Sequence, residues 1–150
     1  MYGPGYRLYD YLQDNVATYI PLDQHGSHTY RRAIYHQNAR AMRVDILSDF
    51  DCPDNIFSVA RRTSTITPLQ ALTLMNHQFI LDMAGFMADR LNSEAGKQNL
   101  DEVVKLAFIL AYSRPAESKE VTESVKMIRK EGLRAFCRAI LNSNEFIYLY

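Results

Sequence analysis

The sequence predicts an α+β fold that is mostly α: a small β-containing front at residues 1–66, then a bundle of four or five helices at residues 67–150. Two observations carry this. From Leu69 onward apolar residues recur at intervals of three and four through most of the chain, the period of helices packed on a core. The front instead holds short alternating runs rich in tyrosine and β-branched residues, which suit paired strands.

In the front, Tyr6, Leu8, Tyr9 and Tyr11 make one run and Val16, Thr18, Tyr19 and Ile20 a second. Asp14-Asn15 is the turn between them and Pro21 the stop. His25-Gly26-Ser27-His28 reads as a loop. Arg31 to Asn38 fits a third strand or a short helix, and its β-branched and aromatic content favours strand. Val44 to Leu47 is a short apolar run that leads into the turn-rich Ser48 to Asn55. Residues 60–65 read as extended and irregular.

The longest helical pattern runs from Thr67 to Leu91. Thr67 is a natural N-cap, Pro68 suits the first helical position, and Gln70 completes a capping box. Leu69, Leu72, Met75, Phe79, Met83, Phe86 and Met87 form the stripe expected to face a core. Asn76-His77 interrupts the run, either bending one helix or, as favoured here, with Asn76 capping a second. Gly85 sits where Ala would be more stable, which predicts close packing against a neighbour.

A polar linker, Asn92 to Asn99, precedes a helix over Leu100 to Tyr112 with Val103, Val104, Ala107, Phe108 and Ala111 on one face. Asp101 and Glu102 complement its dipole, and Ser113-Arg114-Pro115 stops it. Ser118 to Lys130 is a more solvated helix with Val121, Val125 and Ile128 inward. Glu131-Gly132 breaks it, Leu133 to Leu141 follows, and Asn142 to Glu145 turns the chain into an apolar tail.

At 150 residues the chain can bury the core of one domain, and residues 1–150 read as a single partial domain. Lys+Arg 17 against Asp+Glu 17, with no block of one sign, argues against a nucleic-acid or anionic-membrane binder. No apolar run approaches a membrane span, and the N-terminus lacks the layout of a signal peptide. The opening Met1-Tyr-Gly-Pro-Gly-Tyr6 reads as the middle of something longer. Cys52 and Cys137 make no metal-ligand spacing; two buried free thiols or a single disulfide both fit.

Several segments together carry a family pattern: Asn15 to Asp23 (NVATYIPLD), Tyr30 to Tyr35 (YRRAIY), Asp49 to Asp54 (DFDCPD), and Arg61-Arg62 followed by Thr65 to Leu72 (TITPLQAL). Tyr112-Ser-Arg-Pro115 and Leu141 to Phe146 (LNSNEF) follow in order. In these the chain resembles the C-terminal part of the planctomycete PSD family, a domain of unknown function (family 1553), over nearly its whole length. The resemblance implies a fragment of a larger exported protein of extracytoplasmic setting. Such proteins are linked to cytochrome c-like domains, lectin-like domains and a companion uncharacterised domain. It implies no settled catalytic residues. This sequence departs from it at Asn76-His77-Gln78-Phe79, where many members show Asn-Asp-Pro-Gln-Phe.

Candidate ligand-binding residues are Arg61, Arg62, Arg31, Arg32, His25, His28, Asp49 and Asp51. The arginine pairs could clamp a carboxylate, a sulfate or a sugar acid through their forked donors. The plainer alternative pairs Arg61 and Arg62 with Asp49, Asp51 or Asp54, tying the acidic turn to the cap of the central helix. His25, His28 and His36 with the same acids have the right types for a metal, but their spacing matches no metal motif and turn chemistry accounts for the acids. The front tyrosines could stack on sugars, or pack across strands and against a missing domain.

No C-x-x-C-H, G-x-S-x-G, H-E-x-x-H or phosphate-cradling loop occurs, so no cofactor is expected and the balance leans away from an enzyme. The expectation is a non-catalytic scaffold or interaction module. Its partners would be upstream domains of the same protein, a companion protein or carbohydrate. The rival readings are part of a polysaccharide-active enzyme and a sugar-binding module.

Overall fold

The computed structural model describes residues 4–13, 17–22, 26–37, 44–53, 58–62, 64–96 and 99–148. It is mostly helical with a small β part. Two compact units divide it, Met1–Thr73 and Leu74–Tyr150.

In the first unit, β1 (Tyr9–Gln13) pairs antiparallel with β2 (Ala17–Pro21), Tyr9 opposite Pro21 and Tyr11 opposite Tyr19. The hairpin begins later than the alternation suggested, and the expected turn at Asp14-Asn15 lies outside the described residues. Tyr6, placed in the first strand by its alternation, instead makes an isolated parallel bridge with His36. The third strand expected at Arg31 to Asn38 is not formed: Ala33–Tyr35 is a single 3-10 turn. Its amides are satisfied locally, Tyr35 N–H donating to Arg32 O at 3.0 Å and His36 N–H to Ala33 O at 2.9 Å. Local closure of this kind removes the donors a ladder would need.

Val44 to Leu47 leads into a short helix, α1 (Asp45–Asp49). Asp51 then takes a left-handed φ of 57°. Its N–H reaches Ser48 O and the Cys52 N–H reaches Leu47 O, the paired bonds of a Schellman stop with aspartate where glycine is commoner.

The expected break at Asn76-His77 is present. It separates α2 (Pro68–Asn76) from α3 (Gln78–Glu94). The cap of α3 is His77 rather than Asn76, its Nδ1 accepting from Phe79 N–H at 3.2 Å. The capping box opening α2 forms as expected: Gln70 N–H donates to Thr67 Oγ1 at 3.3 Å and Thr67 N–H to Gln70 Oε1 at 3.1 Å.

The predicted core stripe is overturned on α2, and on α3 only its Met87 packs, half-buried, against the core. On α2, Leu69 and Leu72 stand 55% and 57% exposed, while Gln70 is the buried residue at 8%. The capping box turns Gln70 inward, and Thr73 on the same side bonds Asp49, so the leucines face out. On α3 the buried residues are Ile80, Ala84, Ala88 and Leu91, not Phe79, Met83, Phe86 and Met87. Small side chains bring backbones close and win the interior face; Phe86 points to solvent.

The second unit's core is shared by α3, α4 (Leu100–Tyr112), α5 (Ser118–Glu131) and α6 (Leu133–Leu141), with α7 (Asn144–Ile147) closing the chain. Leu91, Val103, Val104 and Cys137 are its largest fully enclosed side chains. Burial pushes the Cys137 thiol up to about 12, whereas Cys52 is exposed; both are free. The bounds of α4 and its inward face, Val103, Val104, Ala107 and Phe108, agree with the periodicity. Gly85 is not sterically required: an added Cβ would meet only Arg134, at 3.9 Å. No helix among the described residues is long and apolar enough to cross a membrane.

Candidate functional site

His25 and Asp54 lie outside the described residues. Arg31 is consumed internally, its Nε donating to His28 O and its Nη2 to Pro4 O, both at 2.9 Å, with its cation over the Tyr6 and Tyr35 rings. The His28 side chain is exposed and Arg32 points to solvent.

Asp49 and Asp51 are engaged by hydroxyls, not by arginine. Thr65 donates its N–H to Asp51 Oδ2 at 2.6 Å and its O–H to Oδ1 at 2.9 Å, and Thr73 donates its O–H to Asp49. The acidic turn is thus fastened around the start of α2, but threonines do the fastening. The Arg61 and Arg62 pairing with this turn is corrected accordingly: both side chains are exposed and make no hydrogen bond or ion pair among the described residues. The short hydroxyls of Thr65, just before α2, and Thr73, within it, reach the carboxylates without immobilising a long side chain, so the guanidiniums are not needed there.

Among the described residues no three His, Cys, Asp or Glu side chains come together as a metal would require. Among the described residues, the buried Nε2 of His36 has no hydrogen-bond partner, and the Tyr6 and Tyr9 rings meet the imidazole edge-on with centroids 6.0 Å away. Burial lowers its pKa from the ordinary imidazole value, favouring the neutral ring.

The densest polar cluster was missed by the sequence reading. Arg114, taken there as a helix stop and a member of the family pattern, grips Glu120 with Nη1 at 2.9 Å and Nη2 at 2.8 Å, and Glu145 with Nε at 2.6 Å and Nη2 at 2.9 Å. Its remaining donor reaches Pro115 O at 3.2 Å, so all five guanidinium hydrogens are used. The cation lies over Phe108 and Tyr112. Arg114 holds the Glu120 carboxyl down at about 2, helped by the Glu117 backbone N–H. It also draws Glu145 below the usual carboxylate range.

The closing Leu141-Asn-Ser-Asn-Glu-Phe146 segment supplies the rest. Asn142 Nδ2 donates to Leu74 O at 3.1 Å, satisfying a carbonyl in the last turn of α2, and to Arg138 O at 2.8 Å. Ser143 Oγ accepts from the Tyr112 hydroxyl at 2.9 Å and from the Phe146 N–H at 3.3 Å. The available signal was order in sequence: Tyr112-Ser-Arg-Pro115 and Asn142 to Phe146 were both part of the family pattern. Their meeting across 31 positions is not a spacing that helical or strand periodicity encodes.

A family model described as PSD1, protein of unknown function (DUF1553), matches residues 1–128. The chain belongs to the PSD1 family. No curated protein and no solved structure matches it. Within the pattern segments of this PSD1 chain, Thr65 bonds Asp51 in the first unit and Arg114 bonds Glu145 in the second. The matched residues take in Arg114 and Glu120 but stop before Glu145.

Proposed function

We propose that the chain is a non-catalytic interaction module, part of a larger exported protein of the PSD1 family. The observation that carries this is the inverted character of α2: Gln70 and Thr73 are turned inward while Leu69 stands exposed. A helix that spends its polar residues on the interior and its leucines on the outside suits a docking surface. The bonding of three candidate residues adds support, because Arg31, Asp49 and Asp51 are engaged in internal hydrogen bonds. The extracytoplasmic setting, and upstream or companion domains linked to cytochrome c-like modules as partners, belong to the same proposal and rest on the family resemblance.

The test is site-specific photo-crosslinking in the source cells, with the crosslinker at Leu69 and, as control, at Lys126 on the outer side of α5. A discrete adduct from Leu69 and none from Lys126 is the expected result. Polysaccharide cleavage or sugar binding by the purified chain, lost in R61A/R62A and unaffected by L69S, would instead support the enzyme or sugar-binding alternatives.

A further inference from the structure

We propose that the partner of this face is an acidic amphipathic segment, read by Arg61 and Arg62 together with Ile66 and Leu69. The inference rests on the interaction reading above and deepens it. Arg61 and Arg62 are exposed and make no hydrogen bond or ion pair among the described residues. Of the acids in the same unit, Asp49 and Asp51 are held by Thr73 and Thr65. Two forked cations are therefore left for a counter-charge from outside, and guanidinium matches carboxylate in a planar, bidentate way.

Within eight residues of them the chain exposes Ile66, 82% open, and Leu69, 55% open. Ile66 precedes the Thr67 cap, where an apolar residue ordinarily folds back onto the first turn of its own helix; here it stays out. Apolar anchors beside paired cations fit a segment that carries both carboxylates and apolar side chains. Other polyanions fit less well. Two arginines fall short of the basic cluster that holds an anionic membrane, and a chain with no net charge lacks the field that gathers nucleic acid.

The experiment selects a displayed library of amphipathic helical peptides, with charges randomised on the polar face, against the full chain and two variants, R61E/R62E and I66S/L69S. Circular dichroism first verifies that both variants remain folded, as exposed positions should. Expected is enrichment of net-negative clones on the native chain, a shift to net-positive clones on R61E/R62E, and about tenfold weaker binding of native-selected clones to each variant. Clones that keep the library's average charge yet require Ile66 and Leu69 would overturn the acidic partner while leaving the interaction module standing. Clones insensitive to both variants would overturn both. Preferential binding of single-stranded DNA or phosphatidylserine vesicles over acidic clones, lost in R61E/R62E, would overturn the peptide assignment.

Discussion

Arg114 and Glu120 form a two-pronged pair, Nη1 to Oε2 at 2.9 Å and Nη2 to Oε1 at 2.8 Å. The same guanidinium reaches over to Glu145 of α7. One side chain thereby joins the end of α4, the start of α5 and the closing segment. About a third of each side chain of the pair remains exposed, so solvent screens the charges; what distinguishes the cluster is its geometry. R114K keeps the charge but cannot make the fork, and should lower Tm nearly as much as R114A, by several degrees. Thermal unfolding of the two variants checks this; near-native stability in R114K would mean that charge alone matters.

Glu120 also sets an acid limit. Its pKa is lower in the fold than in the unfolded chain, so its contribution is complete above the ordinary carboxylate value of 4.5 and is lost as pH falls toward about 2. Tm measured from pH 6 to pH 2 should fall less steeply in E120Q than in the native chain. Parallel curves would remove Glu120 from the acid response.

His36 gives the front a second, milder pH dependence. Burial disfavours its charged form, so its neutral state contributes fully above the ordinary value of 6.5 and loses ground as pH falls below it. H36F keeps a ring between Tyr6 and Tyr9 and removes the unpartnered Nε2. It should flatten the loss between pH 7 and pH 5, read by near-ultraviolet circular dichroism of the tyrosines. An unchanged slope would place the response elsewhere.

At the start of α3, H77A should cost about 1 kcal/mol through loss of the cap on Phe79 N–H. H77D should hold or improve stability, since a carboxylate both caps and suits the positive end of the helix. Urea unfolding of the pair decides it.

G85A should stabilise by about 0.5–1 kcal/mol, because α3 gains helix propensity and the new methyl meets only Arg134 at 3.9 Å. On α2 the contrast runs against hydrophobic intuition. L69S should leave Tm within about 2 °C of native, while Q70A should cost about 1 kcal/mol by opening the capping box. A large loss in L69S would show that the leucine is covered in solution.

The second half was legible wherever a helix packs one face and ends in a recognisable stop. The Leu100 to Tyr112 helix came out with its bounds and its inward face, and the Thr67 capping box was readable because both partners lie within one turn. The stripe on α2 and α3 was misread because periodicity fixes which residues share a face, not which face is buried. Gln70 and the alanines at 84 and 88 decided that through bonds and close approach. Arg61 and Arg62 were assigned to the acidic turn on proximity in sequence, and the shorter threonines, farther along the chain, hold it instead.

By itself the sequence determined the capped start of α2, the starts and stops of α4 to α6, and the family to which the chain belongs. These rest on local physics: caps, dihedral preferences and the 3.6-residue repeat, each contained within a few consecutive residues. Only the tertiary structure decided which way α2 faces and what occupies Asp49 and Asp51. It also decided that Arg114 meets Glu145. Those outcomes depend on partners 14 to 31 positions apart, set by packing between elements that no local repeat specifies.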